Sequence, residues 1–205
     1  MITRFGLAPR LPGLSVGTFQ EHWRDRHGPL IGELPGLVRY WQNHALPDSL
    51  PWPGFDACSE FDAADRCAFD AAFATEHYLD QGRADERRFV DRTRGGALYT
   101  RRIGQPVPLR PGCVRLLTFL RGDPEALASV LAEPGRGGAA EAVEAFVRLT
   151  DVPGVFDAVE ALWFPDETTA RAHLVSAAAE RDRAALAGLV FGTERVLARV
   201  HVVRG

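Results

Sequence analysis

Pro35-Gly36-Leu37-Val38-Arg39, followed downstream by Pro53-Gly54-Phe55-Asp56-Ala57-Cys58, returns in the second half of the chain. There it reads Phe146-Val147-Arg148, followed by Pro153-Gly154-Val155-Phe156-Asp157-Ala158-Val159. Such a match signals internal duplication, so the elements read around one copy should recur around the other. Hydrophobic periodicity gives the first copy a strand from Ile2 to Ala8, a helix from Thr18 to Leu34 and strands from Leu37 to Ala45 and Phe55 to Phe61. A helical region from Ala64 to Arg92 and a strand from Ala97 to Ile103 complete it. The second copy repeats this β-α-β-β-α-β order: Val114 to Leu120, Pro124 to Ala132, Ala142 to Leu149, Phe156 to Phe164, helices between Asp166 and Leu189, and Arg195 to Val203.

An antiparallel sheet with helices on one face still has its other face to bury. The expected fold is therefore α+β: two ferredoxin-like repeats in one chain forming an intrachain, pseudo-dimeric α+β barrel. The boundaries read as residues 1–103 for the first domain, 104–112 for a linker rich in Pro and Gly, and 113–205 for a degenerate second repeat shortened at Gly135-Arg136-Gly137-Gly138.

Composition removes several chemistries. The 205 residues hold 24 Arg, no Lys, 27 Asp plus Glu and 6 His, for a net charge of −3. Without lysine there is no Schiff base to a carbonyl or to pyridoxal phosphate and no Walker-type phosphate lysine. Arginines interleave with acids, as in Asp85-Glu86-Arg87-Arg88, so no nucleic-acid footprint forms. No apolar run is long enough for a membrane span and no signal peptide is visible, which leads to the expectation of a soluble cytoplasmic protein. Cys58, Cys67 and Cys113 are scattered, suggesting neither a disulfide framework nor a zinc site. Arginine in place of lysine, with abundant Ala, Gly and Pro, suits a GC-rich bacterial genome.

The densest polar and aromatic segment runs from Phe19 to Ile31. Thr18 with Glu21 has the spacing of a capping box, and Phe19, Trp23, His27, Leu30 or Ile31, and Leu34 recur at helical spacing. His27 therefore faces inward. His22 lies about 140° around an α-helix from it and should be solvated. An inward imidazole is suited to general acid–base work, or it can simply lock the Gly28-Pro29 exit by bonding a carbonyl. On the next strand Val38, Tyr40, Gln42 and His44 share one face, and Leu37, Arg39, Trp41 and Asn43 share the other. Tyr40, Gln42 and His44 in register could orient a carbonyl or stabilise an enolate, or could form a wetted edge. Glu60 is expected against a basic partner such as Arg39 or a histidine, and its counterpart in the repeat is Ala161.

Three motifs carry less. Gly13-Leu14-Ser15-Val16-Gly17 fits G-x-S-x-G, but that elbow belongs to large parallel sheets, so Ser15 reads as a turn residue. His27, His44 and Glu60 would make a two-His, one-carboxylate iron site only if the fold brought them together. Gly135 to Gly138 lacks the rest of a dinucleotide fingerprint.

The helix motif Trp23-Arg24-Asp25-Arg26-His27-Gly28-Pro29-Leu30 and the strand ending Tyr40-Trp41-Gln42-Asn43-His44 resemble the EthD family, over residues 1 to 103. The resemblance implies the dimeric α+β barrel fold, and relatives among which are cofactor-free dehydratases, decarboxylases, cyclases and oxygenases as well as haem-binding enzymes. It implies His27 as the acid or base, with His44, Tyr40 and Asn43 positioning the substrate.

The expectation is an enzyme of bacterial natural-product or catabolic metabolism, acting without organic cofactor or metal. It would dehydrate, decarboxylate or cyclise a hydrophobic aromatic or polyketide-like molecule. Catalytic candidates are His27, His44 and Tyr40; substrate-binding candidates are Trp23, Trp41, Asn43, Glu60 and Phe5. The alternatives are an oxidoreductase, either a cofactor-free or a haem-dependent oxygenase, and a non-catalytic accessory or binding protein of an oxidative pathway. The partner expected is a hydrophobic small molecule, with no nucleic acid or membrane, on a monomer containing its own pseudo-dimer. Further homodimerisation stays open.

Overall fold

The computed structural model describes residues 1–47, 54–109 and 112–205. Residues Asp48 to Pro53, with Trp52, lie outside them, as do Arg110 and Pro111. The strands are β1 (Ile2–Ala8), β2 (Leu37–Ala45), β3 (Ala57–Ala63), β4 (Gly96–Ile103), β5 (Val114–Gly122), β6 (Ala142–Arg148), β7 (Ala158–Phe164) and β8 (Val190–Arg204). Helix α1 comprises Val16–His22, a π turn Trp23–His27 and Gly28–Gly32; α2 is Arg66–Phe73. Helix α3 is a π turn Tyr78–Gly82 continued by Arg83–Phe89, and α4 (Pro124–Leu131), α5 (Glu167–Leu174) and α6 (Ala177–Leu186) complete the set. Neighbouring strands pair in antiparallel ladders, and the hydrogen-bonded strand order β1-β3-β2-β8-β5-β7-β6-β4 closes on itself, as expected for an α+β barrel made within one chain.

Contacts divide the chain into two compact units. The first holds Met1–His44, Gly54–Tyr99 and His201–Gly205; the second is built on Thr100–Val200. Within each, one aspartate does the same work, which is why the repeat is legible. The Asp56 N–H donates to Ala8 O at 3.0 Å while its carboxylate accepts the Arg10 N–H at 2.9 Å. In the second unit the Asp157 N–H donates to Leu120 O at 2.8 Å and its carboxylate accepts the Gly122 N–H at 3.0 Å. Each aspartate thus ties off the end of one strand at the entrance of the next. Asp65 and Asp166, at the same offset, both cap helices by accepting from the third residue on, Ala68 and Thr169.

Several boundaries differ from the sequence reading, β8 for one starting at Val190 instead of Arg195, and three of the differences have plain physical reasons. β3 and β7 begin two residues later than periodicity suggests, because the residues around Asp56 and Asp157 are spent on these closures. Helix α1 begins at Val16, before the expected Thr18: Ser15 is its N-cap, its hydroxyl accepting from Thr18 N at 3.1 Å, so the Thr18–Glu21 capping box is not used.

Registers decide which residues meet in the first unit. Arg4 faces Phe61 and Gly6 faces Ser59 across β1 and β3, while Tyr40 faces Phe61 and Gln42 faces Ser59 across β2 and β3. These side chains share the helix-covered face. The opposite face carries Phe5, Trp41, Asn43 and Glu60. β2 is buried on both faces from Arg39 to Asn43, so the wetted edge is not realised.

Candidate active site

The site starts with a departure from α geometry. Five residues on an α-helix advance about 500°, which would hold His22 and His27 about 140° apart. In the π turn Trp23–His27 the Gly28 N–H instead donates to Trp23 O, five residues back, which brings positions five apart close to one above the other. His22 and His27 consequently converge on one carboxylate, that of Asp85 on α3. His22 Nε2 lies 3.0 Å from both Asp85 oxygens, and His27 Nδ1 lies 3.1 Å from Oδ2. His22 is therefore not solvated as expected: it is partly buried, and its ring packs 4.6 Å from that of Phe89.

Asp85 sits in a stripe of Tyr78, Gly82, Asp85 and Phe89, all buried. A second π turn, with Arg83 N bonded to Tyr78 O, shapes the helix just before it. Burial pushes the Asp85 carboxyl up, but hydrogen bonds from His27 and His22 outweigh it and hold the pKa below the ordinary value. The carboxylate is thus ionised at neutral pH and able to fix His27 as the Nδ1–H tautomer, with a lone pair left on Nε2.

The ring of His27 lines a cavity of about 320 Å³ between the β1–β3 sheet face and helices α1 and α3. Trp23, Phe19, Phe61 and Phe89 give it aromatic walls; Arg4, Ser59 and Glu86 supply polar groups. Glu86 is already engaged, accepting from the Tyr78 hydroxyl at 2.7 Å and pairing with Arg92 Nε at 3.5 Å. Burial and the neighbouring Glu86 push the Tyr78 phenol up to about 12, so it stays a donor to that carboxylate.

Tyr40 and His44 stand behind this cavity and do not line it. The Tyr40 ring stacks on Phe61 at 4.4 Å, its hydroxyl accepts from Gln42 Nε2 at 3.0 Å, and burial raises its pKa. The His44 ring packs 4.6 Å from Trp23, with Nδ1 at Gln20 Oε1 and Nε2 at Gln42 Oε1. Gln42 also donates to Trp23 O at 2.8 Å, anchoring the π turn to β2. Burial, then His201 and Arg24, push His44 down to about 4, so the ring is neutral near pH 7. His44 and Tyr40 thus support Trp23 and the helix carrying His27.

The remaining candidates lie on the other face of the sheet. Glu60 accepts from Arg39 Nη2 at 2.6 Å, as expected, and from Asn43 Nδ2 at 3.4 Å; the Arg39 guanidinium lies 3.9 Å from the Trp41 ring centroid. Phe5 pairs with Glu60 in the β1–β3 register and is fully buried. None of Phe5, Trp41, Asn43 or Glu60 lines the cavity, and Glu60 cannot join His27 and His44 around one metal. Among the described residues no group of three or more His, Cys, Asp or Glu is arranged to hold a metal ion, and no helix is long and apolar enough to cross a membrane.

The EthD domain model matches residues 11–93, the stretch that holds both π turns and the His22–Asp85–His27 cluster. The chain carries an EthD domain. Its whole length is similar in fold to an anthrone oxidase-like protein (TM-score 0.70, 9% identity, covering 98% of this chain and 93% of that one). It is also similar to a protein of Lactobacillus acidophilus provisionally named a monooxygenase (TM-score 0.59, 12% identity, covering 99% and 96%). An EthD family protein of Bacillus halodurans covers 52% of this chain with the whole of its own, at 19% identity and TM-score 0.40. No curated protein matches the chain.

Of the candidates read from the sequence, His27 and Trp23 line the cavity; Arg4, Glu86 and Phe89, which also line it, and Asp85 behind His27 are not among them. Asp85 is legible in principle. It occupies an inward position of a 78, 82, 85, 89 stripe, where a carboxylate needs a partner to be buried. Within Asp85-Glu86-Arg87-Arg88 it looks instead like part of a solvated charge run.

Proposed function

We propose that the EthD domain, within residues 1–103, is the catalytic half of an enzyme in which His27 moves a proton on a hydrophobic aromatic or polyketide-like molecule. No bound organic cofactor is needed for this step. The observation that carries the reading is His27 on the cavity wall with Nδ1 3.1 Å from the buried Asp85 carboxylate. A carboxylate on one imidazole nitrogen fixes the tautomer that leaves a lone pair on the other. Flat walls from Trp23, Phe19 and Phe89 suit an aromatic ligand through area burial and offset stacking.

In the simplest step Nε2 takes a proton from a carbon beside a ketone, the electron pair moves into the carbonyl as an enolate, and Arg4 or Ser59 offers hydrogen bonds to anionic oxygen. Dehydration follows if the enolate expels a β-hydroxyl that leaves with the imidazolium proton as water. Cyclisation follows if the enolate carbon attacks a second carbonyl, whose oxygen takes that proton. A decarboxylation would instead lose carbon dioxide first and reprotonate the carbanion from imidazolium. The fold shared with an anthrone oxidase-like protein favours a second reading, in which the same deprotonation yields an anion that is then oxidised by dioxygen.

Proton exchange tests the deprotonation shared by the dehydration, cyclisation and oxidation branches, whatever their product. Anthrone and aromatic β-diketones are incubated with the protein in deuterated buffer, and loss of the proton beside the carbonyl is followed by NMR. Exchange is expected with the wild type and about 10²-fold less with His27→Ala. Equal exchange by both proteins would sink the reading, and oxygen uptake accompanying exchange would select the oxidative branch. Addition of haemin serves as the control for the haem-dependent alternative: an absorption change lost in His27→Ala would move the assignment there.

A further inference from the structure

One cation in the cavity is left over once the acid–base pair is accounted for. Arg4, on β1, turns its guanidinium toward the rings of Phe73, Tyr99 and Phe61, with centroids 4.9, 5.6 and 5.7 Å from its central carbon. Its Nε is buried without a hydrogen-bond partner, and among the described residues neither terminal nitrogen has a hydrogen bond or ion pair. The group is not misplaced. Gly6 makes room for it, since a Cβ there would stand 3.2 Å from Arg4 Nη1.

Burying a cation against apolar rings without an anion costs free energy that three ring faces only partly return. Arg92, another arginine on the cavity wall, is paired with Glu86, and Glu86 is further held by Tyr78. Arg4 is therefore the uncommitted charge. Its planar fork, set on the cavity wall among three aromatic rings, has in-plane N–H groups that the two oxygens of a carboxylate match in spacing.

We infer that the cavity selects aromatic ligands bearing a carboxylate, which the Arg4 fork binds while the ring system lies against Trp23 and Phe89. The inference rests on the cavity being the substrate site but not on His27 being the base. It adds a substrate class, aromatic carboxylic acids, to the proton-transfer reading. It also gives Arg4 a binding role that its spacing on a short strand does not announce.

The test uses the whole chain and two probes of nearly equal shape, 2-naphthoate and 2-naphthamide, with binding read by calorimetry and by quenching of tryptophan fluorescence. The wild type is expected to bind naphthoate at least tenfold tighter than the amide. Arg4→Met should abolish the preference. Arg4→Lys, which keeps the charge but not the fork, should retain part of it. Both variants are first checked for wild-type circular dichroism, and the lysine variant keeps the test alive if the methionine one fails to fold.

His27→Ala should leave the preference intact. Lost proton exchange with a retained preference supports both readings, whereas wild-type proton exchange unaffected by His27→Ala, with the preference retained, removes the base and leaves Arg4 standing. Equal affinity for the two probes, a preference that survives in Arg4→Met, or binding of neither probe at millimolar concentration overturns the inference.

Discussion

Replacing Asp85 by Asn separates a catalytic cluster from a merely structural one. The carboxylate receives His22 Nε2 at 3.0 Å and His27 Nδ1 at 3.1 Å, with its side chain 8% exposed. Asn keeps one acceptor oxygen and turns an NH2 toward the other histidine, so one of the two charge-assisted bonds is lost or must invert its tautomer. A hydrogen bond to a charged group contributes roughly 1.5–3 kcal/mol, so Asp85→Asn should cost about 2 kcal/mol. For a chain of this size that corresponds to a melting temperature lower by about 4–8 °C.

The catalytic consequence should be larger than the structural one. If Asp85 holds His27 as the Nδ1–H tautomer, the amide permits the Nε2–H form, which has no lone pair for the substrate, and proton exchange should fall about 10²-fold at about 20 °C, where the variant is still folded. Nitrogen-15 NMR of the imidazoles reads the tautomer directly. Wild type should show the Nδ1–H form at His27 and Asp85→Asn a population of the Nε2–H form. Wild-type His27 as the Nε2–H tautomer, or exchange unchanged in Asp85→Asn, would refute the argument. The pH direction gives a cross-check. Asp85 has its pKa below the unfolded value of 3.8, so its contribution is present above that pH and is lost as pH falls through the lower folded value. The stability gap between wild type and Asp85→Asn should accordingly close in strong acid.

Glu60→Gln should destabilise by about 1.5–3 kcal/mol, because Arg39 loses one charge-assisted bond while keeping Asp62 at 2.9 Å from its Nε, yet proton exchange per folded molecule should be unchanged; urea denaturation and the exchange assay measure the two. His44 supplies a distinct pH signature. Its folded pKa of about 4 lies below the unfolded 6.5, so the unfolded chain binds the extra proton between these values and stability should drop as pH falls from 6.5 to 4, with a slope of about one proton. His44→Phe should flatten that slope; an unchanged slope would place the titration elsewhere.

How much of this is legible in the sequence depends on the kind of geometry involved. Asp56 and Asp157 betray the repeat because each performs a closure local to its own strand, and β2 is read to the residue because Leu37–Ala45 is bounded by Gly36 and a break in pattern. The inward turn of His27 follows from 3.6-residue periodicity. His22 is misread for the same reason, since the π turn inserts one residue that periodicity does not see. Strand alternation correctly separates Tyr40, Gln42 and His44 from Trp41 and Asn43, but it does not say which face meets the helices, nor that Glu60 of β3 joins the second set. Arg4 is invisible as a site residue because its company comes from Phe61, Phe73 and Tyr99, far apart in sequence and joined only by the sheet register and by α2.

The second unit builds the same framework around a much smaller space. By the Ala8–Asp56 and Leu120–Asp157 closures, Arg4 corresponds to Leu116, Gly6 to Thr118, Ser59 to Glu160 and Phe61 to Leu162. Leu116, Thr118, Glu160 and Leu162 line a space of about 20 Å³, against about 320 Å³ in the EthD domain. The volume is taken up in part by an ion pair, Arg136 Nε to Glu160 Oε1 at 2.7 Å, both side chains 5% exposed. Where the first unit has a cavity and an arginine on its wall, this unit has leucines and a closed ion pair, which supports the proposal that the first unit carries the chemistry. Arg136→Ala alone should then destabilise by about 3–5 kcal/mol, because Glu160 is left buried and unpaired. Arg136→Ala with Glu160→Ser should recover part of that loss while opening space, and proton exchange should stay at the wild-type rate in both. A fall in exchange per folded molecule in the double variant would mean that the second unit takes part in the chemistry and that the catalytic unit is the whole chain.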